Sequence, residues 1–311
     1  MNLTHSRRLR QKLEVALPEL VAATTDVILH PRFRELYVDF AVTVHQMIRA
    51  SVPLMRAAHR RALELASSDA VAAAMVPYLD RHIRDELHHD EWLLEDLEWI
   101  GVPRAAVLAR MPPSAVAAMV GAHYYWIHHH HPVAQLGQIA TIEGYPANVD
   151  VIDRMVEQTG FPRAAFRTFE KHTHLDPNHR DEFDRALDGM PLTDEHHEIL
   201  EVSAVHTARQ SARAYRAIVQ RAAMPVLRRD LTIAAAAEDH ARRVHDPLRG
   251  ATYAIGEEED FLLARCDGRQ APDEVCRAFG ERFGTPLQRR ELEEFLGSAR
   301  AEHWFAEEGT A

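Results

Sequence analysis

The chain has little cysteine, no long apolar run and no excess of positive charge, and each absence argues against a class of protein. Its 311 residues include two cysteines, Cys266 and Cys276, which argues against a disulfide scaffold and predicts a reducing, cytoplasmic environment. A membrane span needs about 18 consecutive apolar residues, and no such run or signal peptide is found. The formal net charge of −11 argues against nucleic acid as the main partner.

Glycine is scarce as well, with 13 residues, and residues 18–225 have the composition of helices. Alanine, leucine, arginine and glutamate are abundant, and the alternation of β-branched residues that is typical of strands is missing. We predict a long helix over residues 33–66, bent at Pro53, and a second over residues 70–100. Shorter helices are predicted near 113–128, 132–144, 147–159, 162–175, 178–188 and 194–222.

The sequence changes character after about residue 240. Two glycine-marked turns and a short apolar strand candidate, residues 251–255, precede three short helical patterns. These patterns lie at 257–265, 272–282 and 288–300. The order predicts a small winged-helix-type α/β module, so we predict two domains: a helical domain over residues 1–235 and the module over residues 240–311.

Histidine is the residue in excess, with 21 in the chain. In the segment HIRDELHHDEW, Glu86 and His89 are three residues apart and would share one face of a helix. Carboxylate-bridged diiron bundles use a Glu-x-x-His pair as one oxygen and one nitrogen ligand. Such residues also fill exposed helix faces, and for this pair alone a solvated face is the commoner explanation.

A second cluster is the segment HTHLDPNH. Its residues His172, Asp176 and His179 have the spacing i, i+4 and i+7, which forms one stripe on a continuous helix. Pro177 opposes that interpretation, because a proline disfavours helix for the preceding residue and removes a backbone donor. The alternatives are a solvated polar face or a helix end at Asp176, and the spacing does not decide between them.

A third carboxylate, Glu143, ends the apolar stretch VAQLGQIATI. Burying it there is costly unless it is paired or bound to a metal, although at a helix end it can also point into solvent. The three segments together offer three histidines and three carboxylates. This set of oxygen and imidazole ligands suits iron or manganese better than a structural zinc.

Three segments, HIRDELHHDEWLLEDLEWIG, HYYWIHHHHPVAQLGQIATIEG and FEKHTHLDPNH, resemble the heme-oxygenase-like diiron oxidases, iron-containing redox enzymes related in fold to the TenA thiaminases. The resemblance covers roughly residues 30–220. It implies a mainly α, heme-oxygenase-like (TenA-like) bundle that binds Fe(II), two ions rather than one, without heme and with O2 as cosubstrate. No catalytic residue separate from the metal ligands is implied. The implied ligands are Glu86, His89, Glu143, His172, Asp176 and His179.

The sequence departs from this family at one position. Members usually have a further carboxylate, either on the first core helix or seven residues before the histidine of Glu-x-x-His, where this chain has His82. His82 and His45, on the first core helix, are therefore candidates for an extra ligand, and a single-iron site is the alternative. Tyr124, Tyr125 and His128 are candidates for the pocket wall, although core or surface roles are commoner for such residues.

The C-terminal segment YAIGEEEDFLLARCDGRQAPDEVCRAFGERFG resembles the PqqD-like modules that recognise the leader of a precursor peptide. The shared features are Ile255-Gly256, Phe261-Leu262-Leu263 and Asp267-Gly268. The resemblance implies that a peptide binds by adding a strand to a sheet edge. The alternative is a winged-helix fold that serves only packing or the formation of a homodimer.

Three functions remain open on the sequence. The first is an iron-dependent oxidase or oxygenase that acts on a small amine or acid metabolite, or on a residue of a peptide. The second is a metal-free, TenA-like or PqqC-like bundle that binds a ligand. The third is a peptide-binding adaptor in peptide modification, with a structural bundle. A thiaminase is disfavoured, because its nucleophile is a cysteine and no cysteine precedes Cys266.

Overall fold

The computed structural model describes residues 3–145, 148–235 and 242–306. The chain divides into two compact units, Met1–Ile218 and Val219–Ala311. The boundary predicted from the sequence, between residues 235 and 240, falls on residues 236–241, which lie outside the described part. Among the described residues, no helix is both long enough and apolar enough to cross a membrane.

Helices account for nearly all the regular structure before residue 223. They are α1 (His5–Ile28), α2 (Phe33–Leu65), α3 (Ala70–Asp85), α4 (His89–Glu98), α5 (Arg104–Leu108), α6 (Ser114–His129), α7 (Ala134–Ile142), α8 (Val149–Thr159), α9 (Arg167–Asp188) and α10 (Asp194–Ala222), with a 3-10 turn at Arg163–Phe166. Helix α2 packs against α3, α4 and α6. Its buried residues recur every three or four positions, as in Phe33, Tyr37 and Phe40, so one apolar face is covered by its neighbours.

Two predicted helix boundaries are wrong. The helix expected over residues 70–100 is two helices, α3 and α4, separated by a turn in which His88 has a φ of 71°. A non-glycine residue in this left-handed region costs about 1–3 kcal/mol and gives no signal in helical periodicity. Conversely, the break expected at Pro177 is absent, because α9 continues through position 177 to Asp188. Packing of α9 against α1 and α4 offsets the cost of a proline inside a helix.

Two helices, α1 and α5, were not predicted over their full length. The signal for α1 is present, because Leu9, Leu13 and Leu17 are spaced four residues apart and are all buried. Thr4 begins the helix, and its hydroxyl accepts a hydrogen bond from the Arg7 N–H at 3.3 Å, as a helix N-cap does. Helix α5 is a single short turn, below the length at which periodicity is informative.

From residue 223 onward, the described part of the second unit combines an antiparallel sheet with three helices. The strands are β1 (Thr232–Ala235), β2 (Arg242–Asp246) and β3 (Ala251–Ile255), in the order β1-β2-β3, with Val244 opposite Ile233 and Tyr253. The helices are α11 (Glu257–Leu263), α12 (Pro272–Phe283) and α13 (Arg289–Ala301). The predicted strand is β3 and the predicted helices are α11–α13, whereas β1 and β2 were not predicted.

Candidate metal centre

The turn between α3 and α4 brings Glu86 and His89 together. Glu86 is the C-cap of α3, and His89 is the first residue of α4. The left-handed His88 reverses the backbone between them, and the Glu86 Oε2 and His89 Nδ1 atoms lie 3.0 Å apart. Both side chains are buried. The pair is therefore formed by a turn, and not by the shared face of one helix that the spacing suggests.

Helix α9 contributes the second set of side chains. Because it is continuous, His172, Asp176 and His179 follow one another along one face. Asp176 and His179 are buried, and His172 is half-buried. The His172 Nδ1–H donates a hydrogen bond to the Thr168 carbonyl oxygen at 2.7 Å. This bond leaves the Nε2 lone pair of His172 free for a metal, the arrangement usual for histidine ligands.

Glu143 is held inward by the burial of the helix it follows. Residues 134–141 of α7 are all buried, and α7 lies directly against α10 at Gly137. A Cβ at Gly137 would come 2.0 Å from the Ser203 Oγ, so only glycine permits this approach. The Glu143 side chain is 12% exposed, and its Oε1 accepts a hydrogen bond from the His82 Nε2 at 3.0 Å. Glu143 therefore does not point into solvent.

These residues form two groups of the same composition, each with two imidazoles and one carboxylate. One group is Glu86, His89 and His172, and the other is His82, Glu143 and His179. Within each group the ligand atoms lie within 4.8 Å of one another. The groups adjoin, because the His179 Nδ1 lies 3.4 Å from both the Glu86 Oε1 and the Glu143 Oε2. His82, a candidate extra ligand, thus belongs to the second group.

Asp176 lies close enough to both groups to be influenced by their carboxylates. It is 4% exposed. Burial, followed by the charges of Glu143 and Glu86, raises the pKa of Asp176 to about 8. Because a carboxylate in this position is repelled by its neighbours, it needs a proton or a cation to remain there.

Five buried polar atoms of the centre make no hydrogen bond, although four of them lie 3.0–3.4 Å from a carboxylate oxygen or an imidazole nitrogen of the centre. Without a metal, such contacts are favourable only when the imidazoles carry a proton. A cation coordinated by these atoms would satisfy all five, and the donor set of oxygen and imidazole nitrogen fits iron. The atoms are Glu86 Oε1, His89 Nδ1, Glu143 Oε2, Asp176 Oδ1 and His179 Nδ1.

In the metal-free centre, protons on the imidazoles balance the carboxylate charge that a metal cation would otherwise balance. Burial acts to raise the pKa of Glu143, but His82 and His179 outweigh it and lower that pKa to about 2. The Glu143 carboxylate in turn raises the pKa of His179 to about 9, against the effect of burial. A metal ion would displace the protons of the imidazoles, so metal binding and protonation compete here.

A third cluster, Asp69, His131 and His196, has the wrong tautomers for a metal. The Val133 N–H donates to the Nδ1 of His131 at 3.1 Å, and the Thr193 N–H donates to the Nδ1 of His196 at 3.2 Å. Each neutral ring then carries its proton on Nε2. The His131 Nε2–H donates to the Asp69 carboxylate at 3.2 Å. This cluster is therefore a hydrogen-bonded support for the N-cap of α3.

Two aromatic residues that the sequence did not single out pack on the histidines. The Trp92 ring stacks on His89 with centroids 4.0 Å apart, and the Lys171 Nζ lies 3.6 Å from the centre of the Trp92 ring. Tyr78 stacks on His82 at 5.3 Å, and its buried hydroxyl has no partner. Burial and the charges of Glu143 and Glu86 raise the pKa of Tyr78 well above 10. The sequence does contain a signal for these contacts, because Trp92 follows His89 by three residues and Tyr78 precedes His82 by four.

The remaining candidate residues lie outside the two groups. His45 on α2 is fully buried, with neither ring nitrogen hydrogen-bonded, but it joins no cluster of ligands among the described residues. Tyr124 stacks on His128 within α6, and Tyr125 is 64% exposed, with its ring against His129. The structure gives no contact between these residues and the candidate ligands in the part it describes.

Comparison with known proteins identifies the family and the fold. A family model described as iron-containing redox enzyme matches residues 54–216, a range that includes both groups and Asp176. No curated protein matches significantly. A domain of unknown function with a heme oxygenase-like fold from Shewanella denitrificans is similar, with a TM-score of 0.58 and 16% identity over 68% of this chain and 90% of that chain. A TenA homolog from Pseudomonas syringae has a TM-score of 0.50 and 11% identity, over 67% and 93%. These similarities confirm the predicted heme-oxygenase-like helical fold.

Proposed function

Because the chain belongs to the iron-containing redox enzyme family, we propose that its bundle is a non-heme iron oxidase or oxygenase that uses two ferrous ions and O2. The observation that carries the proposal is the pair of adjoining groups, each with two imidazoles and one carboxylate. Five buried atoms there make no hydrogen bond, and the imidazoles of His89 and His179 lie 3.0–3.4 Å from carboxylate oxygens. A bundle that bound only an organic ligand would have no reason to bury so many metal-ligating atoms at one place.

One iron would be held by Glu86, His89 and His172, and the other by His82, Glu143 and His179, with Asp176 beside both. When bound, the ions supply the electrons that reduce O2. The protein fixes the ligands: Thr168 holds the His172 tautomer, and Trp92 packs on the His89 ring. Tyr78, whose pKa is raised far above neutral pH, keeps a proton on its hydroxyl beside the centre.

The presence of His82 at a carboxylate position changes the charge of the centre. Three carboxylates, those of Glu86, Glu143 and Asp176, carry at most three negative charges, whereas two ferrous ions carry four positive ones. A neutral imidazole contributes less attraction for a cation than a carboxylate would. We therefore expect the His82 group to bind its ion more weakly than it would with a carboxylate at position 82.

The substrate class is a small amine or acid, or a residue carried by a precursor peptide. In the described part of the second unit, the strand order β1-β2-β3 makes β1 and β3 the edges of the sheet, and an edge strand is where an extended peptide adds. Synthetic peptides taken from short reading frames encoded beside the gene, titrated against the full chain, test this part. A control peptide of scrambled sequence should not bind.

Metal stoichiometry tests the main proposal. The protein would be purified anaerobically and reconstituted with Fe(II), and bound iron would be counted in the wild type, His172→Ala, Glu143→Ala and the exposed control His128→Ala. We expect about two irons in the wild type and the control, with each of the other variants losing one or both. One iron in the wild type would favour a mononuclear centre. No iron, with all proteins alike, would contradict the proposal and favour a ligand-binding bundle.

A further inference from the structure

Helix α9 begins without a cap from its own segment. Its N-cap residue, Phe166, has no side-chain hydrogen bond to the first turn. The missing cap comes from α4, where the Oδ2 of Asp96 accepts a hydrogen bond from the Thr168 N–H at 2.7 Å. Asp96 is fully buried, and Thr168 is 1% exposed. A buried carboxylate from one helix thus completes the start of another.

Thr168, whose N–H is capped by Asp96, also orients the candidate ligand His172. Thr168 uses its N–H for Asp96 and its carbonyl oxygen for the His172 Nδ1–H, at 2.7 Å in each case. Asp96 therefore acts on His172 through a single residue. If the first turn of α9 unwound, the carbonyl oxygen that selects the His172 tautomer would no longer face the His172 ring.

Helix α4 contacts α9 at two places on one face. His89 and Asp96 are seven residues apart on α4, so they point in the same direction. The His89 ring meets the His172 ring edge to face, with centroids 5.2 Å apart, and Asp96 meets Thr168 one helical turn before His172. Two contacts fix both the sliding and the rotation of α9 relative to α4, which sets where His172 faces the Glu86 and His89 pair.

Burial of the Asp96 carboxylate costs free energy of folding. Besides the Thr168 N–H, its neighbour is the Arg167 Nε, 3.5 Å from Oδ1, and Oδ1 has no hydrogen bond. Removing this carboxylate alone would leave the buried Thr168 N–H without its acceptor. The aspartate at position 96 therefore stabilises the start of α9, and the same hydrogen bond fixes where that turn lies.

We propose that Asp96 is a positioning residue for the metal centre, which holds the first turn of α9 so that His172 keeps its Nε2 free for the ion. The part that concerns iron rests on the proposed function. The part that concerns the His172 tautomer does not, because it is a property of the metal-free protein.

The test compares three variants of the full chain. Asp96→Leu keeps the volume and removes the acceptor, and Asp96→Asn keeps an acceptor oxygen without the charge. Glu95→Gln is the matched control, because Glu95 is the neighbouring acid and pairs with Arg167 without touching the Thr168 N–H. Long-range ¹H–¹⁵N correlation spectra of histidine-labelled, metal-free protein report the His172 tautomer, with His172→Gln for assignment. Anaerobic Fe(II) titration reports affinity.

We expect Asp96→Leu to lose the single Nδ1–H tautomer of His172 and to bind iron at the Glu86 group about 10–100-fold more weakly. Asp96→Asn and Glu95→Gln should stay close to the wild type. An unchanged tautomer and affinity in Asp96→Leu would overturn the proposal, as would an equal loss in Glu95→Gln.

Hydrogen exchange of the Thr168 amide tests the cap without any substitution. If Asp96→Leu does not fold, the Thr168 amide is followed in the wild type. First-turn amides of a helix lack an intrahelical partner, so slow hydrogen exchange supports the cap and fast exchange contradicts it. If the wild type binds no iron, the proposed function fails, and the tautomer and the Thr168 amide decide the role of Asp96 alone.

Discussion

Glu86 and His89 face each other across the join between α3 and α4, with 3.0 Å between the Glu86 Oε2 and the His89 Nδ1. The join depends on His88, whose φ of 71° lies in the left-handed region. For a residue with a Cβ this conformation costs about 1–3 kcal/mol. The pair of candidate ligands is thus held by a strained turn, which the packing of α3 and α4 against α2 maintains.

Relief of the backbone strain at His88 should not reduce the iron content of the protein. We expect His88→Gly to leave the free energy of unfolding unchanged or to raise it by about 1 kcal/mol, because glycine adopts the left-handed region freely. His88→Val should lower it by about 1 kcal/mol or more. Denaturant titration measures both. His88→Gly should also keep its iron, since the side chain of His88 is not among the candidate ligands, and loss of iron would show that this histidine is itself a ligand.

The candidate ligands could be proposed from the sequence more easily than the way their side chains meet. The spacing of His172, Asp176 and His179 predicts one face of a helix, and α9 has that face. The spacing of Glu86 and His89 predicts neighbours on one helix, whereas a turn brings the two side chains together. A left-handed histidine is selected by tertiary packing, and local sequence has no signal for it.

Other parts of the centre depend on contacts between distant segments. The cap from Asp96 to Thr168 and the contact from His82 to Glu143 join residues 72 and 61 positions apart. Neither periodicity nor composition predicts which buried polar groups will pair across a bundle. For the same reason β1 and β2 were missed: both are short, and strand pairing rather than local propensity defines them.

The free energy of unfolding of the metal-free protein should fall as the pH rises from about 7 to 9. The pKa of Asp176 is raised to about 8 and that of His179 to about 9, so in this range both groups bind more protons in the folded state than in the unfolded state. Below about pH 7 the buried histidines with lowered pKa values, such as His123 at about 4, act in the opposite direction. Denaturant titration should show a decrease on the order of 2–4 kcal/mol between pH 7 and 9. Asp176→Asn should flatten the curve between pH 7 and 8, and a wild-type value that rises from pH 7 to 9 would contradict the raised pKa values.

Replacing Tyr78 by phenylalanine should change the stability and the activity of the protein in opposite directions. Its hydroxyl is buried beside the centre without a partner, so Tyr78→Phe should raise the free energy of unfolding of the metal-free protein by about 1 kcal/mol. If the hydroxyl supplies a proton during O2 reduction, O2 consumption by the iron-loaded variant should slow by about tenfold or more. Iron content is the control, and it should not change. O2 consumption equal to that of the wild type would limit Tyr78 to packing on His82.

The position of Glu143 should depend on the absence of a side chain at Gly137. An alanine Cβ at Gly137 would lie 2.0 Å from the Ser203 Oγ and 2.5 Å from the Leu200 carbonyl oxygen, so α7 must move away from α10. We expect Gly137→Ala to lower the free energy of unfolding by about 1–3 kcal/mol and to weaken iron binding at the His82, Glu143 and His179 group.

Gly121→Ala on α6 is the matched control. No atom lies within 4 Å of a Cβ at that position, so the alanine should raise the free energy of unfolding by about 1 kcal/mol through helix propensity alone. Its iron content should match that of the wild type. Thermal unfolding and iron counting on both variants check the pair. Because Glu143 directly follows α7, a Gly137→Ala variant that is destabilised yet binds iron normally would show that Glu143 does not depend on the seating of α7 for its place in the centre.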